Sequence, residues 1–434
     1  MAGTTQKGTP SLPRRNPISW IVASIALVAV VASGGCRNRD HAHLDDQAER
    51  YVRLVLALGD RDPDSLDFYA GPPAWQAEAH ARNASFQQIK QSASTLLHEI
   101  EADAPTRDDA GGRREFLARQ LRAVIARVDL LEGRRFTFDD ESRALFGVEV
   151  GSIDPAGAER ARAMLDGLLP GSGSLASRYA AFDRQFMIPA DRLSAVVAHA
   201  VDGCRRVTRQ HMSLPRGEHV TVEFVSGTPW SAFTRYEGHG QSRIQINEDF
   251  GLTVDRALQL ACHEAYPGHH ALNTWIDTAL VEPQHRIELL VQPMFSPQSL
   301  RTEGAATFAP ELAFPDEARL RFERDELFPI IGLDPRAAAR YLRVERGVDA
   351  LRLTQAGVAR EYLDGRLEWS RAAEALERDA LMPSAEATLK FFNQFRSDAV
   401  TYTIGHDLAA RAVDAQAGAD ARWLAYERWA AGMK

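Results

Sequence analysis

In segment after segment of this chain, apolar residues recur on one face at a helical spacing. Tyr51, Leu54, Val55 and Leu58 form such a stripe, with Asp45-Asp46 offering an N-cap ahead of it. Residues 74–101 predict one long helix with a polar middle at Gln87-Gln88. Phe116, Leu117, Leu121, Val124, Val128 and Leu131 predict another over residues 113–131. Shorter helical pieces follow at 155–168 and 190–209, separated by a turn that begins at Pro170. Residues 59–73 and 103–112 read as loops.

The pattern then changes. Residues 219–225 (HVTVEFV) are β-branched with partial alternation, and residues 243–247 (RIQIN) alternate cleanly. Between them, residues 227–240 are rich in Gly, aromatic and polar side chains. Helical periodicity resumes at 253–265 and dominates to the C-terminus. The expected fold is mainly α: a large helical domain with a small β-sheet just before the helix that carries HEAYPGHH. The expected organisation is a signal segment (1–36), a tether (37–44), an N-terminal helical region (45–215) and a metal-site region (216–434), the last two folding as one unit.

Composition narrows the function classes. A net charge of -8 without a dense basic stripe argues against nucleic-acid binding. At the N-terminus, Arg14-Arg15 precede an apolar run from Ile18 to Ala32, followed by Ser33-Gly34-Gly35-Cys36. That order is an export signal. Cys36 after small residues resembles a bacterial lipobox, with Ser33 standing where Leu is usual. The expected location is the cell envelope, anchored through lipid on Cys36 or through an uncleaved N-terminal anchor. Two cysteines remain in the body. Cys262 is expected as a small core residue, and one bridge to Cys204 is open to it in an oxidising compartment.

Residues 263–270 hold three imidazoles and a carboxylate within eight positions. Neutral imidazoles hold a metal, and a carboxylate beside them can take a proton from water. The common zinc signature places its second His four residues after the first. Here that position is Pro267, and the next His are 269 and 270. Turning about 100° per residue would align His263 with His270, but Pro267-Gly268 makes helical counting unsafe. Either His could close the chelate.

HEAYPGHH resembles the H-E-x-x-P-G-H motif of the bacterial domain of unknown function 885 family, whose members look like Glu-ligand zinc metallopeptidases. Residues 302–312 (TEGAATFAPEL) and 401–405 (TYTIG) are similar to two further segments of that family, in the same order. Ala305 and Phe308 stand where the family has Trp and Tyr. The resemblance spans roughly residues 220–408. It implies His263, His269 and Glu303 as ligands of one zinc ion, Glu264 as general base, and Tyr402 as a catalytic donor near the substrate carbonyl. Glu311, on the same predicted helix as Glu303, is the rival ligand.

Tyr236, in the Gly-rich segment, and His406, one turn after Tyr402, are expected to bind substrate. Residues 243–247 are the expected strand beside it. The function implied is an exported zinc metallopeptidase acting on peptides. The alternatives are a zinc-dependent amidase of envelope substrates and a catalytically inactive metal-binding lipoprotein.

Overall fold

The computed structural model describes residues 1–3, 42–103, 112–151, 153–228 and 230–433. Arg14-Arg15, the apolar run, Cys36 and most of the tether lie outside the described residues. Among those described, no helix is long and apolar enough to cross a membrane.

The fold is mainly α, with two small sheets. A helix over residues 42–61 buries Tyr51, Val52, Val55 and Leu56 against helices Phe86–Ala102 and Arg113–Leu131. The long helix expected over 74–101 is two helices, Pro73–Arg82 and Phe86–Ala102. Asn83 stops the first in the left-handed region (φ 46°). Ser85 starts the second with a capping box shared with Gln88. These two polar residues satisfy the backbone groups that the break exposes.

Strand β1 (Leu66–Tyr69) lies within the stretch read as a loop and pairs antiparallel with β5 (Val291–Pro293). Three strands precede the motif: β2 (His219–Val225), β3 (Ala232–Gly238) and β4 (Gln241–Asn247). They lie in the order β2-β4-β3, with β4 parallel to β2 and antiparallel to β3. The strand expected beside the substrate, residues 243–247, is therefore central, with its backbone groups paired on both sides. The edge beside the motif belongs to β3, which the Gly- and aromatic-rich composition of residues 227–240 concealed.

The largest core joins helices Ala190–Thr208, Val254–Leu260, Pro297–Ala313 and Ala399–Asp414. Cys204 and Cys262, both fully buried, are joined by a disulfide with their Cα atoms 5.7 Å apart. Cys262 is thus a cross-link, not merely a core filler. The bond ties the residue before His263 to helix Ala190–Thr208, and closing a loop of this length contributes about 4 kcal/mol in the chain-entropy account.

Helices Pro297–Ala313 and Ala399–Asp414 cross backbone to backbone. A Cβ on Gly304 would lie 2.4 Å from the carbonyl carbon of Gly405, and one on Gly405 would lie 2.8 Å from the Leu300 oxygen. Neither neighbour is a flexible side chain, so the helices would have to separate. Gly304→Ala is expected to cost about 1–3 kcal/mol by overpacking, read as a lower Tm. An unchanged Tm would contradict the contact. Because Gly304 follows Glu303 and Gly405 lies one turn after Tyr402, this crossing sets how closely those two side chains approach.

Candidate metal centre

The motif does not form one continuous helix. Thr253 caps helix Val254–Leu260, which widens into a π turn over Ala261–Ala265. Pro267 cannot extend it, and a new helix, His269–Ile276, starts after Gly268. Glycine is required at 268, because a Cβ there would stand 1.8 Å from the His263 oxygen. His263 therefore leaves the end of one helix while His269 opens the next. The side chains meet with Nε2 atoms 3.2 Å apart.

Glu303, from helix Pro297–Ala313, completes the group. Ser296 caps that helix by accepting from the Ser299 amide, with Pro297 at its first position. Glu303 Oε2 lies 3.4 Å from His263 Nε2, and its Oε1 lies 3.3 Å from His269 Nε2. Ligands about 2.0–2.1 Å from a tetrahedral zinc stand about 3.3 Å from one another, so the three side chains have the spacing of such a site.

The surrounding charge also fits a cation. Asp67 on β1 and Asp398 before helix Ala399–Asp414 are further carboxyls near this group. Burial is the main cause raising both, with Glu303 adding repulsion; Asp67 reaches about 7 and Asp398 stands well above its ordinary value. Asp398 is fully buried and neither of its carboxyl oxygens has a hydrogen-bond partner. A buried carboxyl left unpartnered is costly unless a cation or proton satisfies it. The sequence reading missed both: Asp67 lay in an apparent loop, and Asp398 carried no spacing signal.

Burial alone would lower His269, but the charge and hydrogen bond of Glu303, with Glu264 and Asp67 adding to them, together raise it to about 9. Glu303 is held well below the carboxylate range by the two histidines, against burial. His269 thus keeps its proton through neutral pH and gives it up only as pH rises through about 9. A metal ion held by His269 would have to displace that proton. Binding at neutral pH is expected to release about one proton, and affinity is expected to rise with pH up to that value. Zinc titration calorimetry in buffers of different ionisation enthalpy measures the release; none at pH 7 would contradict it.

His270 points the other way. Fully buried, it contacts Ser242 Oγ at 2.8 Å and Glu218 Oε2 at 2.9 Å. Glu218 also pairs with Arg205 and Arg209 and accepts from the Tyr266 hydroxyl. This network braces the turn from behind the candidate ligands.

Glu264 stands beside the three. The Thr234 hydroxyl donates to its Oε2 (2.7 Å) and lies 3.0 Å from its peptide oxygen. Thr234, on edge strand β3, is a positioning residue that the sequence reading missed. Tyr402 lies with its ring 6.2 Å from that of His263, nearly parallel. His263, Glu264 and Tyr402 line a cavity of about 620 Å³.

Two expected substrate contacts are placed elsewhere. Tyr236 is buried, its hydroxyl donating to Asp277 and accepting from the Gly240 amide, outside the cavity lining. On β3 it shares the buried face with Thr234 but lies two residues further along, where it reaches Asp277 instead of Glu264. His406 is buried against Glu311 (2.9 Å) and Arg352 and does not line the cavity either. Glu311, the rival ligand, is held by His406 and faces Arg346 and Arg352.

No family model and no curated protein matches the chain. Among solved structures, it is similar to a protein provisionally described as a lipoprotein from Colwellia psychrerythraea, at 16% identity and TM-score 0.47, covering 80% of this chain and 69% of that one. One from Shewanella oneidensis, provisionally described as a lipoprotein of unknown function, has 11% identity and TM-score 0.45, with 82% and 75% covered. The M32 carboxypeptidase of Deinococcus radiodurans R1 has 14% identity and TM-score 0.36, with 92% and 90% covered.

Proposed function

We propose that this protein is a zinc-dependent peptidase of the cell envelope, anchored through its N-terminal segment, that hydrolyses short peptides with Glu264 as general base. The observation that carries the reading is the 3.2–3.4 Å spacing of His263, His269 and Glu303, with a buried carboxylate beside them at the wall of a cavity. Two imidazoles and one carboxylate suit zinc and leave a position free for substrate or water. Bound there, zinc supplies Lewis-acid activation of water and of the scissile carbonyl.

The chain's own groups do the rest. Glu264 takes a proton from water at a carboxylate oxygen and passes it to the amide nitrogen. The C–N bond breaks, the acyl carbon gains hydroxyl and the amine gains hydrogen. Thr234 fixes the carboxylate, and the Tyr402 hydroxyl is the donor offered to the carbonyl oxygen as charge builds on it. The cavity walls, with Trp230, Phe250 and Phe391 among them, hold side chains of the peptide.

The test is to offer zinc-loaded protein a panel of short peptides, acylated amino acids and muropeptides, with and without chelator. Chelator-sensitive peptide hydrolysis is the expected result. Turnover confined to the other two classes would make it an amidase. Retained zinc with no turnover would make it a metal-binding lipoprotein.

A further inference from the structure

The cavity beside Glu264 is lined by four arginines, and three are neutralised within the protein. Arg319 pairs with Asp255 and Glu323. Arg346 faces Glu311, Asp316 and Asp349. Arg352 faces Glu311 and Asp349. Arg256 differs. Among the described residues it makes no ion pair, although it lines the same cavity and is exposed to it. Its two terminal nitrogens contact only neutral groups, Gln259 Oε1 and Ser231 Oγ, each at 3.2 Å. Those contacts steady the guanidinium without neutralising it.

Its place gives the cation a role. Arg256 and His263 line the same cavity, seven residues apart along a helix that widens at Ala261, so about 10 Å separates them along the axis. An extended peptide covers about 3.3–3.6 Å per residue, so that distance would hold about three residues, and one or two once the guanidinium reaches forward to Gln259. A planar guanidinium recognises a carboxylate through two parallel hydrogen bonds, and such clamps position substrates. Burial weakens the charge of Arg256, and two cavity carboxylates, Glu264 and Asp349, support it without forming an ion pair; Asp349 already faces Arg346 and Arg352.

We infer that Arg256 binds the free C-terminal carboxylate of a short peptide, so that the enzyme is a carboxypeptidase releasing one or two residues from that end. The inference rests on the peptidase reading above and adds the substrate class to it.

The experiment compares N-blocked tripeptides as free acids and as C-terminal amides, with wild type, R256Q and R256K all zinc-loaded. Mass spectrometry identifies the released fragment. Wild type is expected to favour the free acid by about 100-fold in kcat/KM, the scale of a charge-assisted contact. R256Q is expected to erase the preference, chiefly through KM, while R256K retains part of it. Zinc content and Tm of each variant show that it is folded.

If wild type cuts acid and amide equally, or R256Q keeps the preference, the carboxylate assignment is overturned and the peptidase reading stands. If wild type cuts neither, both fall. An amidated peptide bearing Glu at its last position that is cut as fast as the free acid would overturn the terminal carboxylate in favour of a side-chain one.

Discussion

Glu264→Gln is expected to lower kcat/KM for peptide hydrolysis by about 10³-fold, within the range that positioned general bases contribute. The substitution keeps the volume and still accepts from Thr234, so the local packing should survive. What disappears is the group proposed to take the proton from water. Glu264 is not one of the three side chains whose spacing matches a zinc site, so the variant should bind zinc as wild type does. That combination separates a chemical defect from a lost metal. A Glu264→Gln protein that hydrolysed peptides as fast as wild type would remove the carboxylate from the reaction and sink the peptidase reading.

Glu218→Gln should act on stability. The Glu218 side chain is fully buried and meets Arg205, Arg209, Tyr266 and His270. Burial opposes its ionisation, yet hydrogen bonds from those four partners hold it down at about 2. A depressed carboxylate contributes stability at pH values above its unfolded value and loses it as pH falls toward 2. Removing the charge leaves two arginines facing a neutral amide. Their side chains are about a third exposed, so water recovers part of the loss. The expected cost is about 3 kcal/mol near neutral pH, at the lower end for a broken buried pair. Urea unfolding at pH 7 and pH 3 measures it: the difference between wild type and variant should shrink as wild-type Glu218 becomes protonated. An equal Cm at pH 7 would contradict the bracing role.

Much of the site could be read from the sequence because its groups lie close together in the chain. HEAYPGHH placed two imidazoles and a carboxylate within a few residues, and the helical stripes anticipated most of the helices that hold them. The choice between His269 and His270 could not be made by counting. The π turn and the Pro267-Gly268 break reset the helical phase, and Ser242 and Glu218, distant in sequence, claim His270. Strand β1 went unseen because LDFY is short and does not alternate, and with it went Asp67. The edge strand was misplaced for a related reason: the clean alternation of β4 marks a strand but not its neighbours. Tyr236 and His406 looked like cleft residues by proximity in sequence, yet Asp277 and Glu311 hold them outside it. The glycines at 304 and 405 had a legible role only once two helices were seen to cross there.

The most direct measurement is zinc stoichiometry on the body starting at Arg37, for wild type and for His263→Ala, His269→Ala, Glu303→Ala and His270→Ala. The ligand geometry predicts about one zinc in wild type and in His270→Ala, and a severe loss in the other three. Zinc lost from His270→Ala but kept by His269→Ala, with both folded, would contradict the assignment of ligands. A wild-type protein that takes up no zinc when it is supplied would contradict the metal centre itself.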